Sequence, residues 1–112
     1  MEILKNEFYC TEAYFIIEYD NSKYSLLFEF SLEDTYQHGF NPGSYYGHYE
    51  TYSGKMPEDV KLVDVRKFVD GIEQEENILK DVVEIFQRDY CSIMTELEEF
   101  VLENYDYSKF AW

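Results

Sequence analysis

The sequence predicts a single α+β domain over residues 1–112, in which an antiparallel sheet of three to five strands packs against a C-terminal helical region. Three observations lead to this fold class. A length of 112 residues suits one domain with one modest core. Apolar residues alternate with a period of two over residues 13–32, and after Gly71 their spacing changes to three and four. Because the strands come first, the helical region is expected to cover the apolar face of the sheet.

The first element is a predicted β-hairpin over residues 13–32, "AYFIIEYDNSKYSLLFEFSL". Asp20 and Asn21 suit a turn, and apolar residues alternate on both sides of them. The alternating residues of the inner face are Phe15, Ile17, Tyr19, Tyr24, Leu26, Phe28, Phe30 and Leu32. The opening segment, "ILKNEFYC", is expected to add an edge strand.

The outer face of the same hairpin carries Tyr14, Ile16, Leu27 and Glu29. This face is too apolar to be comfortably solvated. It is therefore a candidate interface with a partner protein or with a second copy of the chain, in a homodimer.

Residues 33–59 are expected to form a long Gly/Tyr-rich loop, because they hold four of the five glycines and both prolines. A short strand around residues 45–52 is the alternative. Tyrosine offers a large rigid contact area and glycine lets the backbone adapt, so this composition favours a recognition loop over a catalytic one. The candidate partner-binding tyrosines are Tyr45, Tyr46, Tyr49 and Tyr52. Packing of half of them onto the sheet is the other interpretation.

The next element is a strand predicted over "EDVKLVDVRKFVDG", which pairs with the hairpin and ends at the turn Asp70-Gly71. Residues 13–69 are thus mainly β, and residues 74–105 are expected to be mainly helical. The apolar residues of this second part are spaced by three and four from Ile78 to Val101. Asp89 and Ser92 are candidate N-caps, so the region forms either one long helix or two shorter ones. The closing "NYDYSKFAW" is an aromatic tail that either docks on the sheet or stays loose.

The charge is strongly acidic along the whole chain, with 24 acids, nine bases and a net charge of −15. Such a charge repels nucleic acid and anionic membranes and favours a basic protein partner, possibly a nucleic-acid-binding one. Acids on a helix can compete for a groove that is built to hold phosphates. The candidates are Glu73, Glu75 and Glu76 at the expected helix start, and Glu96, Glu98, Glu99 and Glu103 near its end. The alternative is a solvated helix face whose first three acids complement the helix dipole.

The sequence shows no arrangement that indicates an enzyme, a cofactor or a metal site. Ser44 does not occupy the central position of a G-x-S-x-G motif, and His38 and His48 lack the spacing of zinc ligands. Cys10 and Cys91 are expected to be reduced and structural. The first residues have no basic segment followed by an apolar one, so a cytoplasmic protein is expected.

The order of hairpin, Gly/Tyr-rich loop, "MPEDVKLVDVRKFVDG" and acidic helix resembles the small acidic accessory proteins encoded by phages and prophages. The resemblance implies a non-enzymatic inhibitor of the anti-restriction or anti-CRISPR kind, directed at a basic nucleic-acid-handling protein of host defence. It carries over no functional residues. Two alternatives stay open, an immunity protein that neutralises a basic toxin and a small structural or adaptor protein that forms homo-oligomers.

Overall fold

The computed structural model describes residues 1–40 and 48–110, with the backbone alone over residues 35–40 and 48–53. Five antiparallel strands form one sheet in chain order, namely β1 (Glu2–Phe8), β2 (Glu12–Tyr19), β3 (Ser22–Phe40), β4 (His48–Val69) and β5 (Ile72–Glu73). A helical region follows, with α1 (Val82–Phe86) and α2 (Tyr90–Asn104). The predicted α+β fold is confirmed.

The predicted hairpin is present as β2 and β3, which are joined by a two-residue turn. Asp20 and Asn21 have φ angles of 49° and 61°, and Tyr19 pairs with Ser22. Two successive positive φ angles are typical of the type I′ turn, whose twist matches that of the flanking strands. The expected edge strand is β1, which pairs with β2 from Glu2 to Phe8.

The long loop predicted over residues 33–59 is wrong wherever the chain is described. Residues 31–40 and 48–59 form a two-stranded β-ribbon, whose register runs to the pair Phe40 and His48. The glycine and proline signals mark irregularities in paired strands instead of a loop. Gly54, with a φ of 120°, lies beside one register shift, and Asp59, with a φ of 55°, lies at another. Residues 41–47 of the predicted loop lie outside the described residues.

The ribbon gives the molecule an elongated shape. β2 pairs with β3 only as far as Glu29, and among the described residues β3 and β4 continue beyond that point without a third strand. The radius of gyration is 18.5 Å, compared with roughly 13 Å for a compact chain of this length. The extents are 65 × 32 × 21 Å.

The core lies between one face of the sheet and the helical region. The sheet contributes Ala13, Phe15, Ile17, Tyr24, Leu26, Phe28, Phe30 and Val65, and the helices contribute Val82, Phe86, Ile93, Met94, Leu97 and Val101. Aromatic edge-to-face contacts connect the layers, as between Phe15 and Phe100 with ring centroids 5.6 Å apart. The period-two and period-3.6 patterns therefore meet in one core.

The helical region runs from Leu79 to Asn104 with an interruption at Gln87, whose φ is 50°. Single 3₁₀ turns precede each helix, at Leu79–Asp81 and Gln87–Asp89. Asp89 directly precedes α2, as expected of an N-cap, but its side chain does not cap the helix and instead accepts a hydrogen bond from Tyr19. Ser92 lies inside α2, so its assignment as a cap is wrong.

Residues 74–78 are extended along β4, and the prediction that the helix begins near residue 74 is wrong. The amides of Gln74 and Ile78 donate to the carbonyls of Lys67 and Val65, at 2.9 and 2.7 Å. Between Gln74 and Ile78, the side chain of Asn77 forms hydrogen bonds with the backbone of β4, as a paired strand would. Its Oδ1 accepts from the Val65 amide at 3.1 Å, and its Nδ2 donates to the Val63 carbonyl at 3.4 Å. These bonds satisfy backbone amide and carbonyl groups at the outer edge of β4. Residues 74–78 therefore pair with β4 instead of forming the first turn of a helix.

The aromatic tail docks on the sheet as far as residue 110. The Tyr105 hydroxyl donates to the Cys10 carbonyl at 2.7 Å, and its ring packs edge-to-face on Phe30 at 5.3 Å. The Lys55 ammonium lies 5.9 Å from the centre of the Tyr107 ring, which connects the tail to the ribbon.

Candidate functional site

The acidic face is the solvent-facing side of α2 and consists of Glu96, Glu99 and Glu103, with Glu98 at its edge beside β4. The helix forms because leucine, methionine and glutamate favour helical conformations, and it buries Ile93, Met94, Leu97 and Val101 against the sheet. Glu96, Glu99 and Glu103 are exposed, while Glu98 is half-buried. Leu102, beside them on the same helix, is 44% exposed. The structure therefore brings Glu96, Glu99 and Glu103 together on one side of α2, whereas Glu98 lies about 100° or more around the helix from each of them.

The charges of the acidic face are unfavourable for the helix that carries them. α2 contains no lysine or arginine, and its last turn, at the negative end of the helix dipole, has no base. Glu99 lies three residues after Glu96 and four before Glu103, so like charges are neighbours on the helix surface. In the described part of the chain, none of the four carboxylates forms an ion pair. Folding alone gives no reason for this arrangement.

A groove lined by both apolar and polar side chains lies beside the acidic face, between α2 and β4. It has a volume of about 450 Å³ and is lined by Val60, Lys61, Leu62, Leu79, Tyr90, Cys91, Met94, Thr95 and Glu98. A shallower depression of about 380 Å³ shares Cys91 and Thr95 with it and reaches Glu96 and Glu99. A partner segment that contacts the glutamates therefore finds apolar surface next to them.

Glu73, Glu75 and Glu76 do not belong to this surface, and their placement at a helix start is wrong. Glu73 lies in β5, and the other two lie in the extended segment after it. The Glu73 carboxylate accepts hydrogen bonds from Tyr14 at 3.2 Å and from Ser25 at 2.5 Å. Since these residues alternate with core residues, Glu73 lies on the opposite side of the sheet from α2. The seven predicted acids therefore form at least two separate groups.

The sheet surface that carries Glu73 is called the open face, because within the described residues nothing packs on it. It includes a shallow pocket of about 190 Å³, lined by Tyr14, Ser25, Leu27, Asp64, Arg66 and Glu73. Arg66 donates to both oxygens of Asp64, at 3.0 and 3.4 Å, and this hydrogen bond raises the pKa of Arg66. Burial, followed by the charge of Glu73, raises the pKa of Tyr14.

Ser25, Asp64 and Arg66 also belong to this polar group, although their sequence context does not indicate it. Each comes from a strand whose local pattern shows only alternation, and cross-strand register brings them together. The alternation did contain one signal, namely that Ser25 interrupts an otherwise apolar stretch of β3. Ser25 is buried, with only 3% of its surface exposed, and its hydroxyl is satisfied by Glu73.

The four predicted contact tyrosines fall into two groups. Tyr45 and Tyr46 lie outside the described residues. Tyr49 and Tyr52 lie on β4, where they pair with Gly39 and Tyr36 of β3, so they belong to a strand of the ribbon instead of a loop. Their role as partner contacts stays a prediction.

The remaining candidate chemistry in the described parts of the chain concerns metal ligands, thiols and membrane-spanning helices. No three His, Cys, Asp or Glu side chains there come close enough to hold a metal ion. Cys10 and Cys91 are free thiols. Both are exposed, which does not fit the structural role expected of them. None of the described helices is both long and apolar enough to span a membrane. Comparisons with protein families, curated proteins and solved structures find no match.

Proposed function

We propose that this protein is a non-catalytic binding module that holds a basic partner through the acidic face of α2. The observation that supports this function is that, within the described residues, four glutamates on a helix without a single base form no ion pair. Like-charge neighbours and the dipole each destabilise such a helix by a few tenths of a kcal/mol. Cations from a partner would relieve both effects in the complex.

The spacing of these charges suits a partner surface that normally holds phosphates. Along the α2 axis, Glu96, Glu99 and Glu103 are separated by roughly 4.5 and 6 Å, from a rise of about 1.5 Å per residue. One strand of DNA presents a phosphate about every 3.4 Å. Lysines and arginines arranged for such a backbone would therefore meet carboxylates at a comparable density. Inhibition would follow because the nucleic acid and α2 compete for the same groove.

The surroundings of the acidic face would add apolar contact to this electrostatic attraction. Leu102 is exposed among the glutamates, and the groove floor includes Leu62 and Met94. Charged groups give a fast association rate and discrimination, whereas buried apolar contacts slow dissociation. The partner class that fits best is a basic nucleic-acid-handling protein, with host defence proteins of the restriction or CRISPR kind as the leading candidates.

The test is a competition experiment with an acidic-face variant that carries Gln at residues 96, 98, 99 and 103. Immobilised wild-type protein captures a partner from host lysate, and the purified partner is then titrated with labelled duplex DNA. We expect one equivalent of wild-type protein to displace the DNA and the variant to leave it bound. A captured partner without nucleic-acid affinity, such as a basic toxin, would identify an immunity protein instead. A partner that binds the variant as tightly as wild type would overturn the proposal.

A further inference from the structure

We propose that the open face is the interface of a homodimer, in which two sheets pack face to face. The twofold axis lies between the two sheets, parallel to them, and crosses the strands at a right angle. The open face lies on the other side of the sheet from α2. The dimer would thus leave both acidic faces accessible and is independent of the proposed partner binding.

Two neighbouring rows of side chains cross four strands of the open face. The cross-strand register aligns Lys5, Ile16, Ser25 and Arg66 in the first row. It aligns Glu7, Tyr14, Leu27 and Asp64 in the second row. The first row therefore carries a base at each end, and the second row carries an acid at each end. The centre of the first row holds half-buried Ile16 and buried Ser25, and the centre of the second row holds half-buried Tyr14 and Leu27.

A twofold axis between the two rows makes this surface complementary to itself. It places the first row of one copy over the second row of the other copy. Lys5 then faces Glu7 of the second copy, and Arg66 faces Asp64 of the second copy. Because Lys5 pairs with Glu7 and Arg66 with Asp64 at 3.0 Å within each chain, each end of the interface becomes a cluster of two bases and two acids. Each contact occurs twice by symmetry.

The positions further from the axis agree in part with this arrangement. Lys23 and Glu29 are each three residues from Leu26, where the axis crosses β3, so each would face the other across the interface. On β2, Glu12 would meet Glu18, a like-charge contact that the opposite-charge pairs outnumber. The carboxylate of Glu73 accepts hydrogen bonds from Tyr14 and Ser25. It therefore lies between the two rows and adds a negative charge to the centre of the interface.

The charge distribution favours the open face over the acidic face for contact with a second copy. Two molecules of net charge −15 repel each other, and the acidic face has four acids without a base. The two rows hold two bases and two acids, and Glu73 in the centre brings the charge of this surface to −1, so two copies repel each other less here than at the acidic face. Four strands of about eight residues cover roughly 20 by 26 Å, a small footprint that is expected of a weak dimer.

The test measures the molar mass by sedimentation over protein concentrations from about 1 μM to about 1 mM. Wild-type protein should shift from the monomer mass of 13.5 kDa towards twice that value. Lys5→Glu should weaken the dimer roughly tenfold or more, because it sets two carboxylates opposite each other. The double variant Lys5→Glu with Glu7→Lys should restore dimerisation to within about threefold of wild type, since it exchanges the charges and keeps every pair.

A matched control separates this contact from the change in net charge. Lys80→Glu changes the net charge by the same amount but lies in the helical region, where Lys80 is exposed, so it should weaken the dimer much less than Lys5→Glu. A monomer throughout the concentration range would overturn the proposal. Failure of the double variant to restore the dimer, with circular dichroism unchanged, would overturn it as well.

Discussion

The hydroxyl of Tyr19 donates a hydrogen bond to the carboxylate of Asp89 at 2.8 Å and so connects the end of β2 to the start of α2. The same hydroxyl lies 3.2 Å from the carbonyl oxygen of Phe86, directly before the interruption of the helical region. These contacts fix the position of α2, and with it the direction of the acidic face.

The contact predicts that Tyr19→Phe lowers the stability of the fold while the ring packing on Phe86 persists. The midpoint of urea unfolding should fall, because Asp89 and the Phe86 carbonyl lose their common donor. Tyr9→Phe is the control, since Tyr9 donates only to nearby Glu7 on an exposed part of the sheet. Equal midpoints for the two variants would contradict the proposed importance of the Tyr19 contact.

Alkaline pH should destabilise the protein through Tyr105 and Tyr19. Burial raises the pKa of Tyr105 to about 12, and the hydrogen bond to Asp89 raises the pKa of Tyr19. A raised pKa means that the folded state favours the neutral hydroxyl. The stabilisation is therefore complete below the ordinary tyrosine value near pH 10 and is lost as the pH rises towards 12. Tyr105→Phe should flatten this loss in a series of urea titrations, and an unchanged slope would contradict the assignment.

Asn77→Ala should lower the free energy of unfolding by about 1 to 3 kcal/mol, because it leaves the Val65 amide without its acceptor. Asn77→Asp keeps an acceptor for the amides of Val65 and Leu79 and loses only the longer bond to Val63. It should therefore cost less than the alanine variant. The reverse order in chemical denaturation would show that the edge of β4 does not depend on this acceptor.

Glu103→Lys should stabilise the protein by roughly 0.5 to 1 kcal/mol. It removes a negative charge from the last turn of α2 and converts its contact with Glu99 from repulsive to attractive. Glu33→Lys, at an exposed position on β3, makes the same change in net charge and should give a smaller gain. Urea denaturation of both variants compares them, and a larger gain for Glu33→Lys would mean that general repulsion, instead of helix context, dominates.

The hairpin, the edge strand and the core face could be predicted because their signals are local. The alternation of apolar residues and the turn residues Asp20 and Asn21 lie within one short segment of the chain, so no distant residue is needed to recognise these elements. The ribbon could not, since Gly54 and Pro57 are ordinary loop signals unless the partner strand is known, and here they lie opposite Thr35 and Leu32 in a paired register.

Only the part of the candidate site that lies on α2 could be predicted from the sequence. Spacings of three and four residues place Glu96, Glu99 and Glu103 on one surface of α2, and this follows from sequence alone. Glu73 was misplaced because its hydrogen bonds to Tyr14 and Ser25 span 59 and 48 residues. The helix start was misplaced because Asn77 continues the sheet edge with its side chain, a role that residue type does not reveal.

The most direct test of the proposed function compares two variants that have the same net charge of −11, four units less negative than −15. One is the acidic-face variant, and the other carries Gln at the exposed residues Glu2, Glu33, Glu58 and Glu84. Their affinities for the captured partner are measured at about 50 mM and about 200 mM salt. We predict that the acidic-face variant binds roughly 100-fold more weakly than the control at low salt and that added salt narrows this difference. Equal affinities for the two variants, with no response to salt, would contradict the account.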